Sequence, residues 1–400
     1  MSTPESVTRR NTVQALGAGA AALAMPAVVR AQSAPVRIGY AIARTGPWAG
    51  GAQVSQEPNF LMWAEQQNAA GGLDVKGVRR RIELIGYDDR SEIETCIRTY
   101  EKLMGSDKVD LILPPWGSNA NFALAPLANR FGYPMLAPTA LSRKLIDMRL
   151  PHFFSLLQQP DRMMGALVDM LVASGVKTIA ILYMDDLFGL ENFAAINGAL
   201  KKTGIQVVER KGYPLGVKDL SPVLRGIKDQ NPDAFIGITY PPDTILASKQ
   251  AKEIGFNPKI FYASVGTAYQ LYRNVIGAGA EGVTGMGSWN AKTSPAAKAY
   301  FDAHTAKFGG KEPDRWASGH CWAGLEILAQ AVAKVGLERK AIRDYVARTE
   351  HKTIIGPIRF EGSENISTPG TVAQWQKGEF EVVWPRSVAT AQLVMPKPVW

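Results

Sequence analysis

Residues Trp116-Gly117-Ser118-Asn119 place an indole, a glycine, a hydroxyl and an amide where the apolar run Val109 to Leu113 gives way to a helix pattern. Hydroxyl and amide donors beside the free N–H groups of a helix start suit an anion. The indole would supply an apolar wall next to it. Ser118 and Asn119 serve equally well as helix N-caps, so both roles stay open. A second donor cluster, Thr139, Ala140, Leu141 and Ser142, closes the run that begins at Tyr133, and Tyr240 stands before Pro241-Pro242 at another exit. The acid pairs Asp88-Asp89 and Asp185-Asp186 could do acid–base chemistry, but capping of the helices that follow explains them more economically.

Other chemistries lack their residues. His152, His304, His320 and His351 are widely separated, without the paired spacing of a metal site. The chain has no G-x-S-x-G elbow, no G-x-x-x-x-G-K-[ST] phosphate loop and no H-E-x-x-H. No catalytic residue, metal or cofactor is expected. Cys96 and Cys321 read as small buried thiols; a disulfide between them is not derivable from spacing.

These residues sit on a regular alternation of apolar strand-like runs and amphipathic helices. One series spans residues 36–140, and a second restarts at a helix over 161–173 and ends near 266. Nearly continuous apolar strands between helices imply parallel sheets covered on both faces. Two series imply an α/β fold of two doubly wound lobes. The remaining helices near 295–308, 316–335 and 339–348, with a hairpin around Lys377-Gly378, have no core of their own and must complete those lobes. The expected division is 34–157 plus 288–356 for one lobe and 158–287 plus 357–400 for the other. The connections then cross three times, near 155–160, 286–290 and 356–371, making a hinge. Open parallel sheets bind ligands beyond the carboxyl ends of their strands. That rule selects the loops 43–51, 116–119, 139–142, 185–189, 240–243 and 263–267, which hold Arg44, Trp48, Phe188 and Val265 besides the residues above.

At 400 residues with 46% hydrophobic content, the chain is long enough for two compact units. Residues 1–31 have a charged start, an Ala/Gly-rich apolar centre and small residues near Ala31, which reads as a cleaved secretory signal. Arg9-Arg10 partly matches a twin-arginine export signal. The formal charge is +9, and loss of Arg9, Arg10, Arg30 and Glu5 lowers it by two, to about +7. The surplus is spread along the chain, with its densest cluster at Arg79-Arg80-Arg81, and no aromatic-interleaved basic motif points to nucleic acid.

Together, IGYAIARTGPWAGGAQ, GYDDRSE, WGSNANFALAPLANRFGYPMLAPTALS, ILYMDDLFGLENF, ITYPPDTILASKQAKEIGF and WASGHCWAGLEILAQAV resemble, in order and spacing, the periplasmic solute-binding proteins of ABC importers. The branch resembled is the leucine/isoleucine/valine-binding one, and the likeness covers nearly all of the chain after residue 31. It implies a type I periplasmic binding protein fold whose two lobes close on a small solute and present it to an inner-membrane ABC permease. It also implies a periplasmic location, a monomer and no enzymatic activity. The family's carboxylate cradle falls on Ser118 or Asn119 and on Thr139, Ala140, Leu141 and Ser142; its closing aromatic falls on Tyr240. Trp116 replaces a smaller pocket residue, and Gly50-Gly51 stand where an aromatic is common, with Arg44 and Trp48 nearby. The acid that holds an amino acid's ammonium is missing from Ala263 to Thr267, unless Asp185, Asp186 or Asp243 substitutes. Trp289 and Trp316 are expected to pack near the hinge. The expected ligand is an amino acid or a related branched or aromatic carboxylate. Short amides or urea, a periplasmic sensor module and an exported hydrolase are the alternatives.

Overall fold

The computed structural model describes Met1 and residues 33–400; the expected export signal, apart from Met1, lies outside the described residues. In the first lobe, Val36–Ile42 pairs in parallel with Ile82–Asp88 on one side and Leu111–Ile112 on the other. Met135–Ala137 and Phe153–Ser155 form a second parallel pair, which Glu364–Asn365 and Phe360–Glu361 extend. Residues 360–365, which the sequence reading assigns to the second lobe, therefore build the first. Strand pairing decides this, because Glu364 is registered against Ser155. The chain returns to the second lobe only before Val372–Gln376.

The second lobe is one seven-stranded sheet. Its five parallel strands lie in the order Thr284–Met286, Ile260–Ala263, Ala234–Ile238, Thr178–Met184 and Gln206–Tyr213. The hairpin Val372–Gln376 and Glu379–Trp384 adds antiparallel strands beside Thr284–Met286. Ala234–Ile238 and Ile260–Ala263 are buried at every position, as the unbroken apolar runs AFIGI and IFYA require of strands covered on both faces. The helices expected over 295–308, 316–335 and 339–348 are Pro295–Lys307, Ser318–Val335 and Arg339–Arg348. They pack without intervening strands and complete the first lobe's layers. The short helices Ala49–Ser55 and Arg143–Asp147 are not legible in the sequence pattern and lie in loops facing the other lobe.

Two of the crossings, near 155–160 and 356–371, meet in a polar seam. The Gln158 amide donates to Thr368 Oγ1 at 2.6 Å and faces His320 Nε2 at 3.2 Å; Asn365 donates to the Leu156 carbonyl at 2.7 Å. Burial pushes the His320 imidazole down to about 4, so it sits there neutral. Both cysteines are free and buried.

Candidate ligand-binding site

The helix Ser118–Phe131 opens the first lobe's half of the site, with Gly117 at its N-cap and, among the described residues, no side chain capping its first turn. Ser118 is instead turned to the neighbouring loop: its Oγ accepts from Leu141 N at 3.0 Å and lies 3.2 Å from the Leu141 carbonyl. Thr139 Oγ1 accepts from Gly117 N at 3.0 Å and donates to Gln56 Oε1 at 2.9 Å. Asn121 donates to the Pro115 and Gly117 carbonyls. The two candidate loops are thus one braced unit, and their hydrogen bonds leave the first turn of the helix without a side-chain cap.

Trp116 fills the centre and is 1% exposed. Its Nε1 donates to Ser55 Oγ at 2.9 Å. A Cβ on Gly51 would stand 2.3 Å from Trp116 Cζ2, so the ring can lie there only because residue 51 has no side chain. The aromatic that Gly51 lacks is supplied by Trp116.

In the second lobe, Tyr240 precedes the helix Pro241–Glu253 and stacks on Phe188 (5.1 Å between centroids, 25°) while reaching Trp116 across the seam at 5.6 Å. Trp316 extends this wall, 6.3 Å from Trp116. Burial, reinforced by the Asp186 charge, pushes the Tyr240 hydroxyl well above its ordinary value, so it serves as a donor. It donates to Asp186 Oδ2 at 2.7 Å, and Asn119 of the first lobe donates to the same oxygen at 2.8 Å. Asp186 Oδ1 caps the helix Leu187–Leu200 through Gly189 N at 2.9 Å. A further contact between lobes joins Arg143 N to Glu191 Oε2 at 2.9 Å.

Of the residues selected from sequence, Trp116, Asn119, Tyr240 and Phe188 meet at this seam, and Thr139, Ala140, Leu141, Ser142 and Ser118 form the braced loops behind it. Arg44 is directed elsewhere: its guanidinium pairs with Glu57 at 2.6 Å and bonds Tyr40, inside the first lobe. Val265 is buried in a loop whose Ser264 hydroxyl is spent on Thr239 N and O. That loop is drawn so close that a Cβ on Gly266 (φ +98°) would lie 2.6 Å from Pro241 Cα. Asp185 is exposed, and Asp243 turns into the second lobe beneath the Tyr213 hydroxyl at 3.3 Å, where burial raises it to about 6. Of these three acids, Asp186 is the one bonded to the first lobe. Gln56, Ser55 and Asn121 escaped the sequence reading, because polar residues inside a helix pattern give no sign of which loop they brace.

Among the described residues, Ser142 Oγ, Trp48 Nε1 and Trp316 Nε1 are buried without a hydrogen-bond partner. All three can donate, and each unmade bond costs about 1–3 kcal/mol. Among the described residues, no group of three or more His, Cys, Asp or Glu side chains could hold a metal ion, and no helix is long and apolar enough to cross a membrane.

Comparison with known proteins bears out the fold. Residues 35–379 match the model of the periplasmic binding protein family. A Leu/Ile/Val-binding protein homolog 7 from Brucella abortus is 24% identical, covering 96% of this chain and 98% of its own. Among solved structures, the branched-chain amino acid transporter substrate binding protein LivJ of Streptococcus pneumoniae, in complex with isoleucine, superposes with a TM-score of 0.77. It is 19% identical and covers 90% of this chain and all of its own. A solute binding protein of an ABC transporter from R. palustris, in complex with benzoate, has a TM-score of 0.78 at 16% identity, covering 92% of this chain and 97% of its own. A solute binding protein from Rhodopseudomonas palustris BisB5, in complex with 3,4-dihydroxybenzoic acid, has a TM-score of 0.75 at 21% identity, covering 87% and 95%. With a family match over most of its length and the two-lobed fold in place, the chain belongs to the periplasmic binding protein family.

Proposed function

We propose that this chain is the receptor of an ABC importer, which closes its lobes over a small carboxylate with a flat or branched apolar body and delivers it to an inner-membrane permease. The reading places the protein in the periplasm as a monomer, with residues 1–31 removed on export, and assigns it no catalysis. One observation carries it. The aromatic wall of Trp116, Tyr240, Phe188 and Trp316 lies beside an uncapped helix start and next to buried donors that lack acceptors. An apolar body fits the wall, and carboxylate oxygens are the acceptors those donors lack. Isoleucine, benzoate and 3,4-dihydroxybenzoic acid, held by the solved neighbours, share that combination. A ligand favours closure only through contacts it makes with both lobes, and the wall draws rings from both.

A thermal-shift panel tests the reading. A bound carboxylate at a hundred times its Kd should stabilise the protein by about 2.7 kcal/mol. If short amides or urea raise Tm and neither amino acids nor aromatic acids do, the carboxylate reading fails.

A further inference from the structure

We propose that a groove on the side of the molecule is a second ligand site, separate from the aromatic seam, which takes an amphiphilic anion: a carboxylate on a medium-length alkyl chain. The groove lies between the helix Gln270–Ile276 of the second lobe and the helices Glu57–Ala69 and Pro295–Lys307 of the first. None of Trp116, Tyr240, Phe188 and Asp186 lines it, so the inference stands apart from what the seam binds.

The groove has a volume of about 520 Å³, which is the size of a small-molecule site. Its walls are apolar and come from both lobes: Val54, Pro58 and Phe308 from the first, Leu271 from the second. Leu271 is 53% exposed, an apolar side chain that packing within its own lobe leaves uncovered. Beside it, the Gln270 amide ties the lobes together. It donates to the Gly310 carbonyl at 3.2 Å and accepts from Glu312 N at 3.2 Å. An alkyl chain laid along these walls therefore touches both lobes and removes apolar surface of each from water.

The rim selects the head group. Glu312, the acid that lines the groove, is paired with Arg315 at 2.6 Å and with Arg273 at 3.9 Å, so two cations compensate its charge. Among the described residues, the Lys311 ammonium has no ion-pair partner and the Asn274 amide has no hydrogen-bond partner. His304 Nδ1 donates to the Lys311 carbonyl at 3.2 Å, which fixes the backbone from which the ammonium reaches out. An unengaged cation on one lobe and an unengaged amide on the other thus border an apolar trough whose own acid is already neutralised. A carboxylate answers both donors, and its alkyl chain answers the walls.

Isothermal titration of the mature protein, freed of retained ligand by unfolding and refolding, tests this with octanoate and 1-octanol, which share a chain and differ in charge. Octanoate should bind the wild type several-fold more tightly than 1-octanol. Leu271→Asn and Lys311→Gln change exposed side chains on opposite lobes, and an unchanged Tm confirms that each variant folds. Leu271→Asn should weaken both probes by roughly tenfold, because each loses the same apolar wall. Lys311→Gln should weaken octanoate by about threefold or more, the scale of an exposed ion pair, and leave 1-octanol unchanged. Failure of octanoate to bind the wild type overturns the proposal. Octanoate binding that either variant leaves unchanged also overturns it, because the molecule then sits in the aromatic seam or elsewhere, or touches one lobe alone. Equal binding of the two probes would reduce the groove to an apolar surface without anion selection and overturn it as well.

Discussion

At the scale of single residues, the packing of the proposed site rests on an exchange between Gly51 and Trp116. An indole occupies the volume that a side chain at position 51 would need, and its Nε1 is anchored on Ser55. Gly51→Ala forces a Cβ to 2.3 Å from that ring, and the ring rather than the helix must give way. Overpacking of this kind costs about 1–3 kcal/mol. Thermal unfolding should show the loss, and titration with the best carboxylate should show weaker binding, because the displaced ring belongs to the wall. The two glycines were visible in the sequence as a departure from the resembled family. Their link to Trp116 was not, because 65 positions of chain separate two residues that meet only after folding.

At the scale of elements, the hinge and the loops at strand ends carry opposite electrostatic demands. His320, on the helix Ser318–Val335, faces the Gln158 side chain, which itself donates to Thr368, and burial pushes the imidazole down to about 4. An unfolded histidine titrates near 6.5. The neutral ring's contribution is thus complete above pH 6.5 and is lost as pH falls toward 4. His304, also pushed to about 4 by burial, acts in the same sense. Asp243 and Glu326, raised by burial to about 6 and about 7, act oppositely and weaken the fold as pH rises through those values. Measured against the wild type at each pH, the Tm of His320→Gln should rise as pH falls from 6.5 to 4.5, because the acids contribute equally to both proteins. An unchanged difference would remove His320 from the acid sensitivity. Helix and strand identities at this scale were largely readable, since their apolar periods differ. The helices Ala49–Ser55 and Arg143–Asp147 were not, being short and dependent on the loops they pack against.

At the scale of the molecule, the lobes meet through contacts the protein supplies itself. These are Asn119 to Asp186, Arg143 N to Glu191, and Arg143 to Asp161 at 3.0 Å. On the proposed reading, a ligand that touches both lobes adds to these contacts and shifts the protein toward closure. Glu191→Gln removes a charge that faces Lys144 at 3.9 Å as well as the Arg143 amide. Small-angle scattering of the ligand-free variant should give a larger radius of gyration than the wild type, and saturating ligand should bring the two together. Equal radii without ligand would place the control of closure elsewhere.

The sequence by itself determined the alternation of strands and helices, the two lobes and the loops at their strand ends, because these follow from local apolar period and turn chemistry. It also marked Trp116, Asn119, Phe188 and Tyr240, whose residue types at strand exits are conspicuous without any partner in view. The tertiary structure decided what those residues touch. Arg44 turned to Glu57 inside its own lobe, the loop around Val265 closed on itself, and residues 360–365 joined the first lobe by registering against Ser155. Asp186, read from sequence first as a helix cap, keeps that role and also meets a donor from the other lobe. The physical reason is the same in each case. A side chain's local propensity is written in its neighbours along the chain, whereas its hydrogen-bond partner is set by which distant backbone arrives beside it.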